Sequence, residues 1–310
     1  MAKRFGVGSY QYEVVDNWPS FEIGGVAADV ALDSKGRAYV GVRNIPEGGG
    51  VANILPGIGQ ILVLNPDGSY LTDWGNTFSS PHGLWVNGDD ELFVADTGLH
   101  TVTRHASAGE ILQTLGTRGT PGTPGAPFNM PTRAKQAPNG DIFVSDGYGQ
   151  NRVHRFSSAG EHILTWGGGD PVFIQKFRGE PVTGTVGTGP GEFNLPHDVT
   201  ITGDSRVFVL DRENSRLQEF TIDGTFVGLN DGVRRGNDIA IDPDGAFHIV
   251  SGDGVEIWSA DGSLIGRWGE KGDAPGQFAN GPHGVWLDPE GSLYVAEVGG
   301  NDRLQKFRRV

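Results

Sequence analysis

The chain has 310 residues with 51 glycines, 18 prolines and 9% aromatic residues, a composition of many turns around a packed β-rich core rather than of disorder. Its formal net charge of −14 argues against nucleic acid and anionic membrane as partners, since both need basic faces. Cysteine is absent, which excludes a disulfide framework and thiolate metal ligands. The opening Met1-Ala2-Lys3-Arg4-Phe5-Gly6 leads into no apolar signal core, and no run approaches the roughly 18 apolar residues of a membrane span. A soluble, cytoplasmic protein is the expectation.

In chain order, residues 1–18 come first, and Tyr12-Glu13-Val14-Val15-Asp16-Asn17-Trp18 has the character of an outer strand. Six units follow, each a strand, a turn rich in Asp, Asn and Gly, a second strand, and two more strands around a small-residue turn. The second strands align best: Arg37-Ala38-Tyr39-Val40-Gly41-Val42, Glu91-Leu92-Phe93-Val94-Ala95-Asp96, Asp141-Ile142-Phe143-Val144-Ser145-Asp146, Arg206-Val207-Phe208-Val209-Leu210-Asp211, Ala246-Phe247-His248-Ile249-Val250-Ser251 and Ser292-Leu293-Tyr294-Val295-Ala296-Glu297. Short bulky apolar runs of this kind are strands buried between sheets. Asp67-Gly68, Asp223-Gly224 and Asp261-Gly262 supply hairpin turns. Insertions at 44–59, 116–130 and 167–195 interrupt the pattern and are candidates to cover one mouth of a channel or to decorate the surface.

Six units of four strands predict an all-β, six-bladed β-propeller as a single domain over residues 1–310. The last unit supplies only three strands, and an unclosed ring would expose a sheet edge. The N-terminal strand is therefore predicted to close the last blade.

Three units open on a Pro-His step: Pro81-His82-Gly83-Leu84-Trp85-Val86, Pro196-His197-Asp198-Val199-Thr200-Ile201 and Pro282-His283-Gly284-Val285-Trp286-Leu287. Innermost strands line the channel, and their lead positions read Ala28, His82, Thr132, His197, Asn237 and His283 through the six blades. Histidines on alternate blades form a triangle about the axis. Three neutral imidazoles with an open fourth position suit a catalytic zinc or another divalent transition metal. The plainer alternative is three strand-starting histidines bonded to backbone carbonyls. His100, His105, His154, His162 and His248 fall on middle or outer strands and blade loops and read as structural. Arg43, Tyr148 and Arg212 follow the second strands near the same mouth. A guanidinium there can hold a carboxylate or a developing oxyanion. Positive charge beside a phenol favours its ionised form, so Tyr148 can act as a base. For Arg212 a simple salt bridge with Glu213, or a stapling role with Asp211, stands as the alternative.

Pro81-His82-Gly83-Leu84, Val144-Ser145-Asp146-Gly147-Tyr148, Pro196-His197-Asp198, Asp211-Arg212-Glu213-Asn214 and Pro282-His283 together resemble the NHL propellers, and among them the peptidyl-α-hydroxyglycine α-amidating lyases. The resemblance runs from about residue 30 to the C-terminus. It implies a zinc on His82, His197 and His283, a catalytic Tyr148, and active-site arginines at Arg43 and Arg212. It also implies a structural calcium on the carbonyls of Val30 and Leu84 with an aspartate after the third histidine. That aspartate is Gly284 here, with Asp29, Asp198 and Asp238 at the equivalent place in other blades. Gly281 replaces a methionine that contacts substrate, and Gly149 replaces a disulfide cysteine of the secreted enzymes. Arg133, near the axis, is expected to help hold an anionic substrate. The resulting expectation is a zinc-dependent lyase that cleaves the C–N bond of a carbinolamide, a small or peptide-like molecule such as an N-acyl-α-hydroxyglycine, to an amide and glyoxylate. The alternatives are a metal-dependent lyase, hydratase or hydrolase for another small hydroxylated compound, and a non-enzymatic interaction platform.

Overall fold

The computed structural model describes residues 3–43, 59–122, 128–168, 175–177, 180–182, 186–279, 281–299 and 302–310. Six antiparallel sheets form the blades, five of four strands and one of five. Their innermost strands are Val26–Leu32, Pro81–Val86, Arg133–Gln136, Pro196–Ile201, Gly236–Ile241 and Pro282–Leu287. The fold is the all-β, six-bladed propeller that the repeats predict. Most of insertion 44–59 and parts of 116–130 and 167–195 lie outside the described residues. A small separate hairpin, Gln175–Phe177 with Glu180–Val182, belongs to the last of these.

The second strands are buried at every residue, for example in Leu92–Asp96, Val207–Asp211 and Leu293–Glu297. Outer strands such as Ile111–Gly116 are largely exposed. The apolar side chains collect into six clusters, one in each gap between neighbouring blades. Gly68, Gly224 and Gly262 take φ values of 84°, 75° and 86° in their hairpins, a backbone that glycine adopts without steric cost.

Closure follows the predicted route, with one addition. Tyr10–Val14 pairs with Leu304–Arg309, placing Tyr12 opposite Arg309 and Val14 opposite Phe307. Arg4–Val7 then folds back on Tyr10–Val14 as a fifth strand outside it. Phe5 and Tyr12 bury their rings against Trp268 and thereby bind this edge to blade five.

A carboxylate at the end of a second strand holds the segment that leads into an innermost strand. Asp96 accepts from the amides of Ser79 and Ser80, just before Pro81. Asp211 accepts from the Asn194 amide, Asn214 Nδ2, Arg216 Nε and Gln218 Nε2. Glu297 accepts from the Ala279 amide, Arg303 and Gln305. These bonds fix the approach to each Pro-His step. Asp211→Ala strands four donors in a buried site and is expected to cost about 3–5 kcal/mol of unfolding free energy, measured by urea titration.

Candidate metal centre

Each of the three histidines is the extra residue of a β-bulge. Pro81 pairs with Asp96 and Gly83 with Ala95, which leaves His82 between them without a partner in the ladder. The same shift isolates His197 between Pro196 and Asp198, and His283 between Pro282 and Gly284. A bulge re-aims a side chain that regular pleating would direct elsewhere. Here it brings all three imidazoles together on the axis.

The ring centroids are 4.9 Å apart for His82 and His197, 4.6 Å for His82 and His283, and 5.1 Å for His197 and His283. One nitrogen of each lies within 4.8 Å of the other two. Every Nδ1 is held by a backbone carbonyl of the next blade: His82 by Thr132 at 2.9 Å, His197 by Asn237 at 2.7 Å, and His283 by Ala28 at 2.6 Å. A carbonyl only accepts, so Nδ1 carries the proton and Nε2 presents its lone pair inward. The intermediate blades pass the chain of bonds onward. Thr132 Oγ1 donates to the Pro196 carbonyl at 3.2 Å, and Asn237 Nδ2 to that of Pro282 at 3.0 Å.

Burial pushes all three imidazole pKa values well below the usual 6.5. The neighbouring histidines and Arg43 lower His82 further, Arg212 lowers His197, and Arg43 lowers His283. The imidazoles are therefore neutral at neutral pH, the form that binds a metal. The Tyr148 hydroxyl lies 3.1 Å from Nε2 of both His82 and His197. Its single proton cannot satisfy three lone pairs. Three inward imidazole lone pairs are a donor set that could hold a divalent metal ion.

Two arginines flank the triad. Arg43 is 4% exposed, and its Nε has no hydrogen-bond partner among the described residues. Burial lowers its pKa, while the fields of Tyr148, Asp29, Asp302 and Asp96 oppose that shift. Arg212 lies over the Tyr148 ring, 5.6 Å from its centroid. Glu213 holds Arg212 at 2.9 Å and is itself held by Arg235 at 2.6 Å. The salt bridge weighed for Arg212 is thus present together with its position at the tyrosine, while Asp211 is stapled by Arg216 instead. Gly281 has φ 138°, a backbone that disfavours the methionine of the lyase pattern.

Arg133 does not join this group. It is 1% exposed and turns toward Asp29, Asp198 and Asp238, so it is not placed to hold a substrate at the mouth. The same residue lies where the resemblance implies a calcium. The amides of Val30 and Leu84 both donate to the Asp29 carboxylate, and Arg133 pairs with that carboxylate from the axis. A guanidinium in this place does not fit a calcium ion. The signal was present in the residues after the lead positions: Asp29, Gly83, Arg133, Asp198, Asp238 and Gly284 put three acids and one arginine at one height of the ring. The counter-ion Lys135 was not singled out from the sequence. The other histidines sit away from the centre, His154 on Asp146 and His248 on Asp242, for example.

An axial triad of imidazoles, a tyrosine and a buried arginine whose Nε has no partner among the described residues make the channel of this six-bladed ring a candidate metal centre. The NHL repeat profile matches residues 193–220. The chain is 32% identical over 317 residues to mouse NHL repeat-containing protein 3, covering 94% of this chain and 82% of that protein. It belongs to the NHL-repeat family that includes that protein. It is also 36% identical over 174 residues to peptidyl-alpha-hydroxyglycine alpha-amidating lyase 1 of Drosophila melanogaster, covering 54% of this chain and 30% of that protein. Among solved structures, a gluconolactonase of Xanthomonas campestris superposes with a TM-score of 0.65 at 14% identity, covering 100% of this chain and 95% of that chain. That likeness is one of fold.

Proposed function

We propose that this chain is a zinc-dependent lyase that cleaves carbinolamides of the N-acyl-α-hydroxyglycine type to a primary amide and glyoxylate. The observation that carries this reading is the meeting of three inward Nε2 atoms with the Tyr148 hydroxyl at 3.1 Å from two of them. The similarity to an amidating lyase supports it.

His82, His197 and His283 would hold the ion, which when bound supplies a Lewis acid for the substrate hydroxyl. Tyr148 is the base that takes the hydroxyl proton. The O–H electron pair becomes the second bond of the new carbonyl, and the C–N pair leaves with the amide nitrogen. The proton taken up by Tyr148 passes to that nitrogen, so glyoxylate and amide depart and the tyrosine is restored. Arg43 meets the substrate carboxylate, which gives its buried guanidinium a counter-charge. Glu213 fixes Arg212 over the tyrosine ring, where its positive charge stabilises the negative charge that develops in the reaction. Burial of Arg43, Tyr148 and the three histidines keeps bulk water from competing at their contacts.

Zinc-loaded protein is expected to release glyoxylate from α-hydroxyhippurate, followed by a colorimetric assay. No glyoxylate from fully loaded protein counts against the carbinolamide substrate. The alternative with another small hydroxylated substrate gains from Gly281, which leaves the triad without the methionine of the lyase pattern.

A further inference from the structure

One layer below the histidines lies a second buried ring of charge. Asp29, Asp198 and Asp238 come from blades one, four and five, and each ties its blade to the next. Asp29 accepts from the Leu84 amide at 2.6 Å, Asp198 from Ile239 at 3.0 Å, and Asp238 from Val285 at 2.7 Å. Three carboxylates converging in a buried channel would repel one another without positive charge between them. Blade three supplies that charge twice. Arg133 pairs with Asp29, lies 3.2 Å from Asp238 and 3.9 Å from Asp198. Lys135 lies 2.8 Å from Asp198 and 3.8 Å from Asp238. The room for Arg133 comes from its neighbours: a Cβ at Gly83 would strike Arg133 itself, and one at Gly284 would strike Asp29.

We propose that Arg133, assisted by Lys135, is a built-in axial cation that fills the place of a divalent ion among Asp29, Asp198 and Asp238, so that this chain folds and holds its histidines without calcium. Arg133 also reaches upward. Its Nη2 donates to the His283 carbonyl at 3.1 Å, so the same side chain positions the strand that carries one imidazole. Burial alone would lower the pKa of Arg133, but Asp238, Asp29 and Asp198 more than offset this and raise it, so the charge is permanent. A guanidinium attached to the fold cannot be chelated away. The inference is independent of whether the triad above performs catalysis.

The test compares thermal unfolding of the full chain in excess calcium and in a calcium-selective chelator, with elemental analysis after dialysis. Wild-type protein is expected to unfold at one temperature in both and to retain no calcium. Arg133→Met keeps the bulk and removes the charge; in chelator it is expected to unfold on the order of 10 °C lower, and calcium restores part of that loss. Arg133→Lys is expected to stay insensitive to calcium. If Arg133→Met does not fold, the lysine variant decides: calcium-insensitive unfolding supports the proposal, and calcium-dependent unfolding overturns it. Wild-type protein that holds calcium or is stabilised by it overturns it. So does Arg133→Met protein as stable in chelator as wild type, or one that calcium leaves unchanged.

Discussion

His197→Ala protein is expected to lose the proposed divalent metal on dialysis and, with it, the proposed lyase activity. His197 contributes one of three inward nitrogens, and no acidic or sulfur side chain is grouped with them among the described residues to replace it. Disturbing only an outer partner of a metal ligand costs about 10–100-fold in affinity, so deletion of a ligand itself is expected to exceed about 100-fold. Elemental analysis and the glyoxylate assay read the two consequences separately. His154→Ala is the control, since His154 bonds Asp146 and Thr165 within blade three. Full metal retention by His197→Ala would move the centre away from the triad.

Tyr148→Phe is expected to separate binding from chemistry. The ring remains beneath Arg212 and the three imidazoles keep their carbonyl acceptors. Only the oxygen at 3.1 Å from two Nε2 atoms is removed. Metal content should stay at the wild-type level while kcat falls by about 10²–10⁴-fold, the usual contribution of a positioned proton acceptor. KM should change little, because Arg43 remains to meet the substrate carboxylate. A variant that retains most of its kcat would remove the tyrosine from the proton path and leave the base to be sought elsewhere.

Much of the architecture could be read from the residues because a repeat converts sequence position into angular position. Once His82, His197 and His283 occupied one place in alternate units, their convergence followed from rotation about the axis. The orientation of the imidazoles did not follow, because it depends on bulges that appear only in the pairing of Pro81 with Asp96 and Gly83 with Ala95, and in their counterparts. The partners that Arg133 finds near the axis did not follow either, for a related reason. A side chain at the axis can turn toward either end of the channel, and that choice rests on the carboxylates of three other blades. Arg212 was read with two alternatives because Glu213 is its sequence neighbour, and both the ion pair and the contact with Tyr148 are present. The extra strand Arg4–Val7 carries too few apolar residues to stand out; it pairs because Tyr10–Val14 leaves an edge to be covered.

The bond from His283 to the Ala28 carbonyl joins residues 255 positions apart and crosses the seam where the first blade meets the last. During synthesis Ala28 emerges long before its partner, so the proposed metal site is complete only once residue 283 has been made. Severing the chain elsewhere tests the same dependence. A circular permutant that joins the natural ends and opens the loop between two other blades makes the His283–Ala28 contact local and some other contact distant. Metal affinity in such permutants would then act as a gauge of how firmly each seam is latched.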